Sequence, residues 1–198
     1  TEGINRHPLV FTLVVTGLLV IAGALIFYWR YPFALDAPNF YAEDGRDFIK
    51  NLLVAGPIAG SLAIFNGYLI VGQYIVGVFG QLINSLAFGG DFADLPKSLA
   101  IASYIFWGFV CALPWLLFRK RLGTILSLII VMLLWVTPLG GYDYAIIGTI
   151  GNLKFAFLFI ATLLVIYRND TKLCVKPWQF MVIDIALLLC VFTNIVTL

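Results

Sequence analysis

Apolar residues run through this chain in long blocks separated by short polar segments, without the strict alternation of a half-buried strand. The first block, Leu9–Trp29, holds about 21 residues, enough at 1.5 Å per residue to cross a bilayer's hydrocarbon core. Arg6 and His7 before it resemble the start of a signal peptide, but the block is too long for a cleaved apolar region and reads as a retained span. Pro8 suits its first turn, Tyr28, Trp29 and Tyr31 form an aromatic belt at its far end, and Pro32 closes it. Later blocks, roughly Ser98–Phe118, Leu122–Leu139, Leu153–Tyr167 and Trp178–Leu198, read as further spans. Backbone in lipid must satisfy its own hydrogen bonds, and no ten-residue alternating segment suggests a barrel. The pattern therefore predicts an all-α, polytopic helical membrane protein with about five transmembrane helices.

Two segments between the first and second spans are patterned differently. Asp36 or Asn39 is placed to cap a second helix that runs to Ala55, with Gly56 and Pro57 as its stop. On that helix Phe48, Leu52 and Ala55 share one face, with Ile49 and Leu53 beside them, while Glu43, Asp47 and Lys50 or Asn51 share the other. This predicts an amphipathic helix lying at the membrane surface with its acidic edge towards water. Phe65–Phe88 carries four glycines together with Asn66, Gln73, Gln81 and Asn84, a content unlike the later blocks. Its pattern alone fits either a span or a second surface helix.

Charge decides between them. If Phe65–Phe88 does not cross, Arg6, Arg119, Lys120, Arg121, Arg168, Lys172 and Lys176 fall on one side, and Asp36, Glu43, Asp44, Asp47, Asp91, Asp94 and Asp143 on the other. If it crosses, Arg119, Lys120 and Arg121 move outside, against the positive-inside tendency. The expectation is a multi-pass plasma (inner) membrane protein with a cytoplasmic N-terminus, two extracytoplasmic surface helices, and residues 36–97 as an outer loop. The last block reaches Leu198 without a cap or a basic tail, so residues 1–198 read as one transmembrane domain forming the N-terminal portion of a longer module.

Composition agrees. Apolar side chains make up 62% of the chain and the mean hydropathy is +1.03, well beyond a soluble domain. No basic stripe with interleaved aromatics points to nucleic acid. Cys111, Cys174 and Cys190 are widely spaced and His7 is the single histidine, which argues against a disulfide framework, a zinc site or a histidine-based triad.

The candidate chemistry is concentrated in Tyr41–Lys50, where Glu43, Asp44, Arg46, Asp47 and Lys50 fall within ten residues of a chain that is only 11% charged. Adjacent acids on a helix point about 100° apart, so Glu43 and Asp44 would not duplicate each other. One carboxylate can take a proton from an attacking hydroxyl while the other orients it, holds substrate hydroxyls or binds a divalent cation. An acidic turn after a first span can equally be solvated surface with weak local ion pairs. Lys154, at the mouth of a span, is placed to meet a phosphate or to snorkel from a helix end. Asp184 either reaches the interface or pairs with another helix.

Three stretches carry a resemblance: Phe-Tyr-Ala-Glu-Asp-Gly-Arg-Asp-Phe (Phe40–Phe48), Ser-Leu-Ala-Ile-Phe-Asn-Gly-Tyr-Leu (Ser61–Leu69) and Gly-Asn-Leu-Lys-Phe (Gly151–Phe155). They resemble the N-terminal half of bacterial multi-span proteins related to the GT-C glycosyltransferases, over about residues 9 to 170. The resemblance implies a membrane enzyme that uses a polyprenyl-phosphate-linked sugar, with Asp44 and Glu43 at the catalytic centre and Asp44 favoured as the base. Better-known members carry Asp-Asp or Asp-Glu where this chain has Glu-Asp. It also implies a divalent cation, Mg or Mn, in some relatives, for which Glu43 and Asp44 are the candidate ligands. Arg46, Asp47, Tyr68, Asn152 and Lys154 become candidate substrate-binding residues, and Gly45 shapes the motif. The expected partners are the lipid-linked sugar, a cell-envelope glycan or lipid acceptor, and membrane lipids. A lipid-linked sugar flippase or transporter, and a non-catalytic membrane subunit, are the competing classes; transport would place ionisable groups near mid-depth of the spans.

Overall fold

The structure is a computed structural model that describes residues 7–40, 48–62, 64, 69–137, 146–173 and 176–193. Among the described residues every regular element is helical: α1 (His7–Arg30), α2 (Phe33–Asp36), α3 (Lys50–Ser61), α4 (Val71–Ala87), α5 (Leu95–Leu122), α6 (Thr124–Val136), α7 (Lys154–Asn169) and α8 (Pro177–Val191). Short 3-10 turns at Phe92–Asp94 and Gly151–Leu153 lead into α5 and α7.

The core is built around α5, which packs against α1, α4, α6 and α7. Small residues let α1 approach it closely. A Cβ at Gly108 would lie 2.9 Å from the main-chain nitrogen of Ala24, and one at Gly23 would lie 2.9 Å from the Cα of Gly108. In lipid, where apolar burial drives helix association weakly, this close backbone approach supplies dispersion contact that larger side chains would prevent. Nearer the other end of the pair, the Tyr104 hydroxyl donates to the carbonyl of Tyr31 at 2.6 Å, so α1 and α5 run antiparallel.

Helix α4 lies antiparallel to the first half of α5, and here the polar residues of Phe65–Phe88 find their use. Asn84 is buried; its Oδ1 accepts from Ser98 Oγ at 3.2 Å and its Nδ2 donates to the carbonyl of Asp91 at 2.9 Å. Gly80 lets Leu99 and Ala102 approach. At the start of α4, Val71 and Gly72 donate their N–H groups to Phe192 O and Thr193 Oγ1, which supplies acceptors for a helix end that has no intrahelical ones.

Among the described residues three helical stretches are long and apolar enough to cross a membrane: Val10–Arg30, Phe92–Leu122 and Gly151–Asn169. The expected spans at Leu122–Leu139 and Trp178–Leu198 correspond to shorter apolar helices, Thr124–Val136 and Pro177–Val191. Gly123, at φ +80°, starts α6 late, and Thr137 has extended backbone that ends it early. α4 is not among the three long apolar helices, in keeping with the sequence expectation that Phe65–Phe88 differs from the spans.

The second-helix expectation needs correcting in its bounds. Asp36 ends a single helical turn instead of capping a long helix, and α3 runs from Lys50 with Phe48 and Ile49 already helical, while the expected helical course through residues 41–47 lies outside the described residues. Gly56, at φ 77° and ψ 170°, breaks α3 as anticipated, but helix resumes after it to Ser61. The second segment folds back so that Gly60 sits against the backbone of Asn51 and Leu52. Phe48, Ile49 and Leu52 are buried as the predicted apolar face requires, whereas Leu53 and Ala55 are exposed, which makes that face narrower than expected.

Candidate functional site

Glu43, Asp44, Gly45, Arg46, Asp47 and Tyr68 lie outside the described residues, as does the Gly140–Ala145 part of the predicted outer connection. The residues on either side of the acidic stretch are held by aromatic contacts. Before it, the ring of Phe40 lies 5.6 Å from that of Phe92, ahead of α5. After it, Phe48 is buried with its ring 6.0 Å from Tyr74 on α4. Rings at these separations gain from edge and offset contacts beyond their buried area. The two anchors tie both ends of the acidic stretch to the α4 and α5 pair.

On a different face from Tyr74, α4 contributes Ile75, Val76 and Phe79 to an apolar cleft of about 520 Å³. Phe106 and Phe109 of α5 and Phe157 of α7 line its other walls. The Phe106 and Phe157 rings lie 5.0 Å apart within it. Every wall is hydrocarbon or aromatic, so the cleft suits an alkyl or isoprenoid chain and offers nothing to a sugar.

Asn152 and Lys154 are brought close to this region. Asn152 sits half-buried in the 3-10 turn Gly151–Leu153, which packs against α4 as well as α7. Lys154 opens α7 with its Nζ 5.5 Å from the ring centre of Phe155. The turn is docked on α5 by Ser103, whose hydroxyl donates to Thr149 O at 3.3 Å and accepts from Gly148 N–H at 3.2 Å. Gly148 itself has φ +87° and packs on Ala34, so the α2 corner, the pre-α7 turn and the first half of α5 meet at one place. Periodicity gave no sign of this docking, because Ser103 and Thr149 look like ordinary small polar residues inside or beside apolar blocks.

Among the described residues no group of three or more His, Cys, Asp or Glu could hold a metal ion. Glu43 and Asp44 are oxygen donors of the kind that suit a hard divalent cation. Asp184 is accounted for: Arg168 Nε donates to its Oδ1 at 2.6 Å and Nη2 to its Oδ2 at 3.2 Å, a two-pronged pair between α7 and α8. That pair uses the one acid the sequence places within the later spans. The buried Gln73 has weaker support, with Nε2 3.5 Å from Thr193 O and no partner for Oε1. Comparison of the chain with family models, curated proteins and solved structures returns no match.

Proposed function

We propose that this chain belongs to a GT-C-like membrane glycosyltransferase that moves a sugar from a polyprenyl-phosphate carrier to a cell-envelope glycan or lipid. The observation that carries this reading is that α4 holds both parts: Tyr74 anchors Phe48 at the end of the acidic stretch, and Ile75, Val76 and Phe79, further round the same helix, wall an apolar cleft with Phe106 and Phe157. A lipid-linked donor needs both: hydrocarbon walls for its tail and carboxylates near its head. Five membrane-crossing segments with a cytoplasmic N-terminus put the acids on the extracytoplasmic side, and this topology belongs to the proposal.

Asp44, or Glu43 beside it, takes the proton of the acceptor hydroxyl as its oxygen attacks the anomeric carbon. The bond from that carbon to the phosphate oxygen breaks, and polyprenyl phosphate leaves with the electron pair. In this reading Asn152 and Lys154 meet the donor, the lysine through the phosphate charge. A divalent cation, if bound by Glu43 and Asp44, would stabilise negative charge on the leaving phosphate.

Asp44→Asn keeps the shape of the side chain and removes its basicity. Consumption of polyprenyl-phosphate sugar by the reconstituted full-length protein should fall by about 10²-fold or more, the usual contribution of a general base. Undiminished turnover in both this variant and Glu43→Gln would overturn the reading.

A further inference from the structure

The end of the bundle where α5 and α7 terminate is strongly basic. Arg119, Lys120 and Arg121 occupy the last turn of α5, Arg168 the last turn of α7, and Lys172 and Lys176 the connection to α8. Cations complement the partial negative charge of helix C-termini, about −0.5 for each helix. Two ends therefore account for only part of this charge. Asp170 lies 3.4 Å from Arg121 Nε and Asp184 takes Arg168, while among the described residues Lys120, Lys172 and Lys176 have no carboxylate within the 4.0 Å of an ion pair.

Between the helix ends is an open depression of about 540 Å³. Arg121 and Lys172 stand on its rim, and the exposed apolar side chains of Val165 and Ile166 line it with Asn169. Asp170 ties the loop to α5, since one carboxylate oxygen faces Arg121 Nε at 3.4 Å and the other accepts from the main-chain N–H of Lys172 at 2.8 Å, leaving the Lys172 ammonium outside this pairing. A soluble anion would use the cations and leave Val165 and Ile166 idle. A phospholipid uses both, because its phosphate sits at the depth of helix-end basic residues while its first acyl carbons meet the apolar wall.

We propose that this depression binds the head group of an anionic phospholipid, with the phosphate between Arg121 and Lys172. The proposal rests on the membrane character of the helices and not on sugar transfer. The test reconstitutes the full-length protein in phosphatidylcholine bilayers with and without phosphatidylglycerol and measures lipid retained after detergent extraction by native mass spectrometry. Phosphatidylglycerol should be retained in preference to phosphatidylcholine. Lys172→Gln should weaken that retention about fivefold, and Arg121→Gln with Lys172→Gln about thirtyfold, from the usual contribution of each juxtamembrane cation. Unchanged melting of Lys172→Gln in pure phosphatidylcholine checks its fold. Equal retention of the two lipids, full retention by Lys172→Gln, or displacement of the lipid by inorganic phosphate would overturn the proposal. Failure to enter phosphatidylcholine bilayers at all would overturn it through the membrane reading instead.

Discussion

The guanidinium of Arg30, at the end of α1, donates to the main-chain carbonyl of Trp135 at the end of α6, with its second nitrogen 3.4 Å from Thr137 O and 3.0 Å from the Tyr31 hydroxyl. It thereby satisfies carbonyls that a helix C-terminus leaves open, with a charge of the favourable sign. Arg30→Met should lower stability by about 1.5–3 kcal/mol, the range for bonds from a charged donor. Arg30→Lys should recover part of this, since one ammonium cannot span the same acceptors. Unfolding in detergent micelles measures both, and an unshifted Arg30→Met curve would mean the contacts carry no stability.

The seam between Gly23 and Gly108 predicts a sharp positional contrast. Gly108→Leu must drive side-chain atoms into the backbone of Val20 and Ala24, and should cost about 3 kcal/mol or more, at or beyond the usual range for overpacking. Gly17, on the same helix as Gly23, has nothing within 4 Å of its missing Cβ, so Gly17→Leu should be tolerated. Yield of monodisperse protein for the two variants separates a packing seam from a general intolerance of bulk.

Asn84 and Ser98 form a buried pair that can be cycled. Replacing Asn84 with Leu removes two bonds, to Ser98 and to the Asp91 carbonyl, although that carbonyl keeps the Asp94 N–H at 3.2 Å; it should cost about 1–3 kcal/mol, more than Ser98→Ala. The coupling between the two substitutions should be about 1 kcal/mol. Strictly additive effects would show that the hydroxyl and amide do not depend on one another.

Asp184→Asn separates structure from transport. The Arg168 and Asp184 side chains are 40% and 47% exposed, so their pairing should contribute little to stability. Under the sugar-transfer proposal the variant should keep its turnover while Asp44→Asn loses it. Loss of function in Asp184→Asn with an unchanged melting curve would favour a transporter.

The long apolar blocks made α1, α5 and α7 legible, because a run of about 20 hydrophobic residues has few other uses. Gly56 and the buried Phe48, Ile49 and Leu52 face could also be read in advance, from a breaker and from helical spacing. Two things could not. Gln73 and Asn84 counted only as polar content that set Phe65–Phe88 apart, yet they are buried, since polarity does not reveal whether a partner such as Thr193 or Ser98 is waiting. The short span of α6 depends on backbone angles at Gly123 and Thr137, which hydropathy cannot express. Of the candidate site, Asn152 and Lys154 can be followed in the structure, while Glu43, Asp44, Arg46, Asp47 and Tyr68 lie outside the described residues.

Helix α5 has 28 residues and so extends about 42 Å, against about 30 Å of hydrocarbon in an ordinary bilayer. The surplus is taken up by tilt or by projection of the Leu95 end, where Lys97 and the preceding Asp91 and Asp94 belong in water. Acyl-chain length then becomes a control on this protein: thicker membranes draw that end, and the α4 helix fastened to it, towards the level of the lipid phosphates, and thinner ones lift both clear.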